Sequence, residues 1–356
     1  MTRLIVTIGP SSIEKNILLK LKQAGAQSFR INLSHSSKQS LSDYISVMKD
    51  CGITAAIDTQ GAQLRIDTLR GNNVFSAGEF LSLRFDSYFE SSNLKNDDLP
   101  SIVFNHPEVF EQFSVGDFLK VDFGGLIIKL VEQRRDCWIA QVTASGVANI
   151  NRAVDVSGKS LKLSPLTKFD EYAIDYAISV GVQEVYGSFV SSLEDVRAIK
   201  DKLPENVKLV SKIETAVALS NAIDIMNESD AVLVDRGDLS REISIPSVPI
   251  AVNAILGMSR SVHCPVYIAT NVLDSMMQSP LPSRAEISDI FSLLDQGAAG
   301  LVLAAEVAIG KNPVASASLV DYLSRLYENH RHGLFKVAHI NKPDPALIGE
   351  QLHGWI

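Results

Sequence analysis

Short runs of apolar, largely β-branched residues recur along the chain, each followed by a polar or glycine-bearing turn and a stretch of helical spacing. Eight such runs read as strands: Leu4–Gly9, Ser28–Ser34, Thr54–Thr59, Glu184–Val190, Lys208–Glu214, Ala231–Gly237, Pro265–Thr270 and Gly300–Glu306. Amphipathic stretches such as SIEKNILLKLKQAG, SLEDVRAIKDKL and RAEISDIFSLLDQGA lie between them. In the last, Ile287, Ile290, Leu293 and Leu294 share one helical face. Eight strand-then-helix units predict an α/β chain folded as a (β/α)8 barrel. A doubly wound open sheet shows the same alternation and is the competing architecture.

One interval breaks the rhythm. Residues 67–162 carry VFSAGEFLSLRF, SVGDFLKVDFGGLIIKLVEQ and CWIAQVTASGVA, which alternate with period two around glycine turns. These are the marks of a small antiparallel β domain, expected as a β-barrel lid inserted after the third strand. The remainder, 1–66 with 163–335, has the length of one barrel, roughly 250 residues. Residues 336–356, with Pro343 and Pro345, show weak periodicity and read as a C-terminal tail.

Composition narrows the class. Hydrophobic residues make up 46% of the chain and charged ones 21%, enough apolar material for a large core. The formal charge of −8, without a long run of one sign, argues against a nucleic-acid or anionic-membrane partner. Cys51, Cys137 and Cys264 stand far apart, so neither a disulfide framework nor a zinc site is expected, and a cytoplasmic setting fits.

Barrel chemistry sits where strands end, and the ends here are rich in functional side chains. Arg30, Asn32, Ser34 and His35 close the second strand, Asp58 and Thr59 the third, and Lys212 and Glu214 the fifth. Arg236 and Asp238 follow on the sixth, Thr270 and Asn271 on the seventh, and Glu306 on the eighth. Alternation puts Lys212 and Glu214 on one face, and Arg236 and Asp238 on one face. Glu214 and Asp238 supply two hard oxygen ligands, suited to an open Mg2+ site. Arg30 and Lys212 are donors for a phosphoryl or carboxylate group. Gly237 lets a ligand approach the turn that opens a short helix. Pattern alone reaches an anionic, phosphorylated small molecule and stops there.

Several segments, in order, resemble the pyruvate kinase family: TIGPSS, FRINLSHS, DTQGAQLR, VSKIE, VDRGDLSREI, IATNVLDSMM with PSRAEISDI, and AAEVAIGKNP. The resemblance implies phosphoryl transfer from phosphoenolpyruvate to ADP with Mg2+ (or Mn2+) and K+. Carried over by position, Arg30 and Lys212 hold the phosphoryl group, and Gly237 with Asp238 receives the substrate carboxylate. Thr270 lies near the enolate carbon, making Lys212, Arg30 and Thr270 the catalytic set. Glu214 and Asp238 match the Mg2+ ligands, and Asn32, Ser34, Asp58 and Thr59 the K+ ligands. Asn32, His35 and Arg65 fall on the nucleotide side.

The chain also departs from the family pattern. Gln60, Ala62 and Gln63 replace a lysine, a proline and a glutamate. Asp122 is kept, but Phe123 stands for a second aspartate, and Phe169 for a lysine with Lys168 one position early. The chain ends soon after the eighth barrel helix, so the resemblance implies an unregulated short form lacking the C-terminal regulatory domain, most simply a homodimer. Two alternatives stay open: a divergent phosphoenolpyruvate or pyruvate-enolate enzyme with a different acceptor, and a non-catalytic homologue.

Overall fold

A computed structural model describes residues 2–84, 99–121, 125–159 and 161–331. Asp122, Phe123 and the tail from Lys336 lie outside the described residues. The chain forms two compact units, one from residues up to Gln60 and from Asp170 onward, the other from Gly61–Phe169.

The first unit is a closed parallel barrel. Its strands are β1 (Arg3–Ile8), β2 (Ser28–Asn32), β3 (Ala55–Asp58), β4 (Glu184–Gly187), β5 (Lys208–Ile213), β6 (Ala231–Asp235), β7 (Val266–Ala269) and β8 (Gly300–Leu303). They pair in sequential order, and β8 closes on β1 with Arg3 opposite Gly300. This is the (β/α)8 architecture, and it excludes the open sheet. The interior is filled by Ile5, Ala56, Tyr186, Val210, Leu233, Tyr267 and Val302, small residues alternating with large ones so that the layers interdigitate. At the N-terminal end, Arg3 grips Glu184 with two nitrogens at 2.6 and 3.1 Å, and Ser28 and Tyr186 donate to the same carboxylate. A buried charge is tolerated there because every partner is a hydrogen-bonding one.

Helix starts follow local chemistry. Ser283 and Glu286 form a capping box at the start of the helix Arg284–Asp295, which buries Ile290, Leu293 and Leu294 while Ile287 stays half-buried. Ser192 and Asp195 do the same for Leu193–Lys200.

The second unit is a seven-stranded sheet with a separate two-stranded ribbon, Val74–Phe75 with Gly146–Val147. Most pairs are antiparallel, but Phe80–Arg84 and Ser101–Phe104 run parallel, which alternation along single strands does not reveal. An isolated antiparallel bridge between Arg65 and Ala153 joins the two edges, and the Val154 N–H donates to the Leu64 carbonyl at 2.8 Å. The sheet is thereby curled on itself. It encloses its own core around Trp138, Phe75, Phe104 and Leu130. Among the described residues, no helix is long and apolar enough to cross a membrane.

Candidate active site

The eight strands stop one to three residues earlier than period-two alternation suggests, so most of the strand-end side chains stand just past the last ladder position. There the backbone leaves the sheet, and alternation no longer governs direction. Three non-glycine residues in this region adopt positive φ: Phe189 after β4, and Thr270 and Asn271 after β7, at 54°, 71° and 55°. Left-handed backbone is costly for a β-branched threonine and is retained only where its surroundings overdetermine it.

Lys212 is the centre of the first unit's charge network. It is fully buried, with Nζ 2.8 Å from Glu214 Oε1, 3.2 Å from Asp58 Oδ1 and 3.9 Å from Asp235 Oδ2. Burial alone would lower its pKa, but Asp58, Glu214 and Asp235 outweigh burial and raise it, so the ammonium stays charged. The Ser188 hydroxyl accepts from Lys212 Nζ at 3.1 Å and donates to the Thr59 carbonyl at 2.6 Å. Glu214 responds in the opposite sense. Burial pushes its carboxyl up to about 8, with Lys212 pulling it down and Asp238 and Asp235 adding to the rise.

Arg30 is also buried. Its Nε and Nη2 donate to Thr7 Oγ1, its guanidinium carbon lies 5.3 Å from the Tyr186 ring centroid, and its Nη1 stands 3.1 Å from Asp58 Oδ2. Neither Nη1 nor Oδ2 completes a hydrogen bond, so a buried donor remains for an anion.

After β6 the chain turns at once into the helix Arg236–Glu242. Arg236 and Asp238 therefore do not share a strand face. Arg236 turns aside, donating through Nε and Nη2 to the Thr270 carbonyl at 3.0 and 2.7 Å while Nη1 holds Asp289 at 2.7 Å. It clamps the strained Thr270 turn. Gly237 is needed for a different close approach from the one expected of a ligand. A Cβ there would sit 2.8 Å from Thr270 Cγ2 and 3.3 Å from Asp235 Oδ1. The Gly237 N–H and the Thr270 hydroxyl both donate to Asp235 Oδ1, at 3.2 and 2.5 Å.

Glu214, Asp235 and Asp238 place a carboxylate oxygen each within 4.8 Å of one another. This donor set, with Glu214 fully buried and the two aspartates half-buried, fits a hard divalent cation. The oxygen set Asn32, Ser34, Asp58 and Thr59 lies at the adjoining ends of β2 and β3, where Asn32 is opposite Asp58 in the ladder. Its chemistry suits K+. However, Asn32 Oδ1 already accepts the Ser34 N–H at 2.8 Å, and Asp58 already faces Arg30 and Lys212. His35 is exposed at the end of the short turn Leu33–His35. Arg65 belongs to the second unit, where its Nη1 donates to the Asn151 carbonyl at 2.7 Å.

Thr7, Ser188 and Asp235 escaped the sequence reading. Ser188 was reachable, because it stands directly after β4 among the other strand-end positions. Asp235 was masked by the neighbouring Arg236 and Asp238. Glu306, buried at the eighth strand end, accepts the Leu273 and Ala304 N–H groups, and burial raises its pKa. It supports the loop after β7 rather than facing a ligand.

The family model for the pyruvate kinase barrel domain matches residues 1–317. A pyruvate kinase of Agrobacterium vitis is 31% identical over 93% of this chain and 69% of its own length. The plastidial pyruvate kinase 3, chloroplastic, of Arabidopsis thaliana is 30% identical over 90% of this chain, which spans 56% of it. A pyruvate kinase of Methylorubrum extorquens is 28% identical, covering 97% and 72%. With the closed barrel and the charge network at its strand ends, these matches settle the relationship: the chain belongs to the pyruvate kinase family.

Proposed function

We propose that the protein transfers the phosphoryl group of phosphoenolpyruvate to ADP, giving pyruvate and ATP. The observation that carries this reading is Lys212, fully buried yet held charged by Asp58, Glu214 and Asp235 at one mouth of the barrel. Phosphoryl transfer asks mainly for positioning and charge neutralisation, and a fixed ammonium beside a buried guanidinium offers both. In this reading Lys212 and Arg30 neutralise the phosphoryl oxygens, with Arg30 Nη1, which faces Asp58 at 3.1 Å but completes no hydrogen bond, taking one of them. Gly237 and Asp238 bound the carboxylate side. Thr270, fixed by Asp235 and Arg236, stands where the enolate carbon receives its proton. Glu214, Asp235 and Asp238 would hold Mg2+ or Mn2+, whose role when bound is to draw charge from the phosphoryl oxygens. Because Asp58 is already neutralised, K+ activation should be weak.

Phe169, in the first turn of the helix Lys168–Ser179, favours a second reading: another acceptor for the same donor. Mixing protein, phosphoenolpyruvate, Mg2+, K+ and ADP, then following pyruvate, separates the two. ADP-dependent pyruvate supports the kinase. Equal turnover without ADP supports the second reading, and no turnover in either mixture removes both. For assembly we infer a homodimer through the barrel helices, supported by Ile245 and Ile250, 74% and 71% exposed around the start of the helix Val248–Val262. A monomer at micromolar concentration in light scattering would overturn it.

A further inference from the structure

We propose that Thr7 is the positioning residue for Arg30 in the phosphoryl-transfer reading, on which this role rests. Its hydroxyl fixes the guanidinium in place and leaves the positive charge for an incoming anion.

Thr7 stands directly opposite Arg30 in the parallel ladder between β1 and β2, and it is 5% exposed. Ile5, two residues earlier on β1, faces the barrel interior with Ala56, Tyr186 and Val302. Thr7 therefore faces the same way, one layer nearer the strand ends. A valine would fill that layer with the same shape, whereas a buried hydroxyl needs a polar partner. The partner is one edge of Arg30, whose Nε and Nη2 donate to Thr7 Oγ1 at 3.2 and 2.9 Å.

What this contact does follows from its being neutral. A carboxylate at position 7 would grip the same edge as a bidentate ion pair and cancel the charge. The hydroxyl orients the guanidinium without cancelling it, and the Tyr186 ring, 5.3 Å from the guanidinium carbon, holds its face. Nη1 is thereby aimed at Asp58 Oδ2, 3.1 Å away, where it completes no hydrogen bond. Without the Thr7 oxygen, the Nε–Nη2 edge loses its acceptor. The fork is then free to turn two nitrogens onto Asp58, which withdraws Arg30 from the anion. The other buried cation is held in the same manner, with Lys212 Nζ 3.1 Å from the Ser188 hydroxyl of the neighbouring strand end.

The test is steady-state kinetics of the full chain with phosphoenolpyruvate, Mg2+, K+ and ADP. Thr7→Val keeps the shape and removes the oxygen, and Thr7→Ser keeps the oxygen. Thr7→Val is also made on Arg30→Lys, whose single ammonium has no such edge to lose. The ratio kcat/KM should fall by at least about tenfold in Thr7→Val and stay within about threefold of wild type in Thr7→Ser. On Arg30→Lys, the added Thr7→Val should cost less than about twofold, because the coupling runs through the guanidinium. Melting temperatures check folding. Wild-type rates in Thr7→Val would overturn the proposal. So would a Thr7→Ser as slow as Thr7→Val, or an undiminished loss on Arg30→Lys. A wild type without turnover removes the kinase reading, and the comparison then passes to inorganic phosphate. Phosphate should raise the melting temperature of wild type and Thr7→Ser but not of Thr7→Val. Equal stabilisation of all three, or of none, would overturn the positioning role as well.

Discussion

Asp58 and Lys212 meet at 3.2 Å although they come from β3 and β5, with β4 between them. Ser188, just after β4, fills the gap, its hydroxyl 3.3 Å from Asp58 Oδ1 and 3.1 Å from Lys212 Nζ. Three successive strand ends are thereby locked around one ammonium.

Replacing that ammonium tests both stability and chemistry. Lys212→Met leaves Glu214 buried without its cation and Asp58 with Arg30 alone, so the fold should lose about 3–5 kcal/mol. Below the melting transition, the rate should fall by at least about a thousandfold, the loss expected when charge stabilisation of a transferring group is removed. Denaturant melts and steady-state rates check the two parts separately. Near-normal turnover would remove Lys212 from the reaction.

Arg236 is expected to act through Thr270. Arg236→Lys cannot reproduce the two-nitrogen grip on the Thr270 carbonyl while also holding Asp289. The rate constant kcat should drop by about tenfold to a hundredfold, with KM for phosphoenolpyruvate little changed, because the loss is one of positioning. A variant with raised KM and unaltered kcat would instead make Arg236 a substrate ligand.

His263 ends the helix Val248–Val262 in the left-handed conformation, φ 56°, with its N–H donating to the Ser259 carbonyl. Glycine adopts that conformation without strain. His263→Gly should therefore stabilise the protein by about 0.5–1 kcal/mol, read as a higher melting temperature at unchanged activity.

Glu286 supplies the pH-dependent case. Its carboxylate is partly buried, which alone would raise its pKa, but it accepts from the Ser275 hydroxyl, the Ser275 N–H and the Ser283 N–H, which lower it. A carboxyl depressed in the fold stabilises above its ordinary value of 4.5 and loses that contribution as pH falls through the folded value. Glu286→Gln should cost about 1 kcal/mol at neutral pH, a modest figure because the group is partly exposed. The difference from wild type should shrink on acidification below that range. A difference independent of pH would mean that the charge plays no part.

Much of the site was legible because strand-end positions are set by short-range pattern. Lys212 and Glu214, two apart, do share a face and touch. Arg236 and Asp238, also two apart, do not, because Asp235 caps a helix whose first residue is Arg236, and a helical turn sends them in different directions. Gly237 in the same turn matters for its lack of a Cβ, and the group that uses the space is the Thr270 methyl just after the next strand. No local pattern reports a neighbour 33 residues away.

The amino-acid order alone determined the number of barrel strands and the interruption after β3, while closure of β8 on β1, over an open sheet, was decided by the fold. Hydrophobic periodicity and chain connectivity are local, and parallel strands joined by helices have few ways to close. Tertiary structure decided which charges meet. Arg30, Asp58, Lys212, Glu214 and Asp235 come from four strands, and only barrel closure brings their side chains within ion-pair distance. It also decided their protonation. Burial strengthens each interaction and penalises each isolated charge, and no residue carries its burial in its own identity.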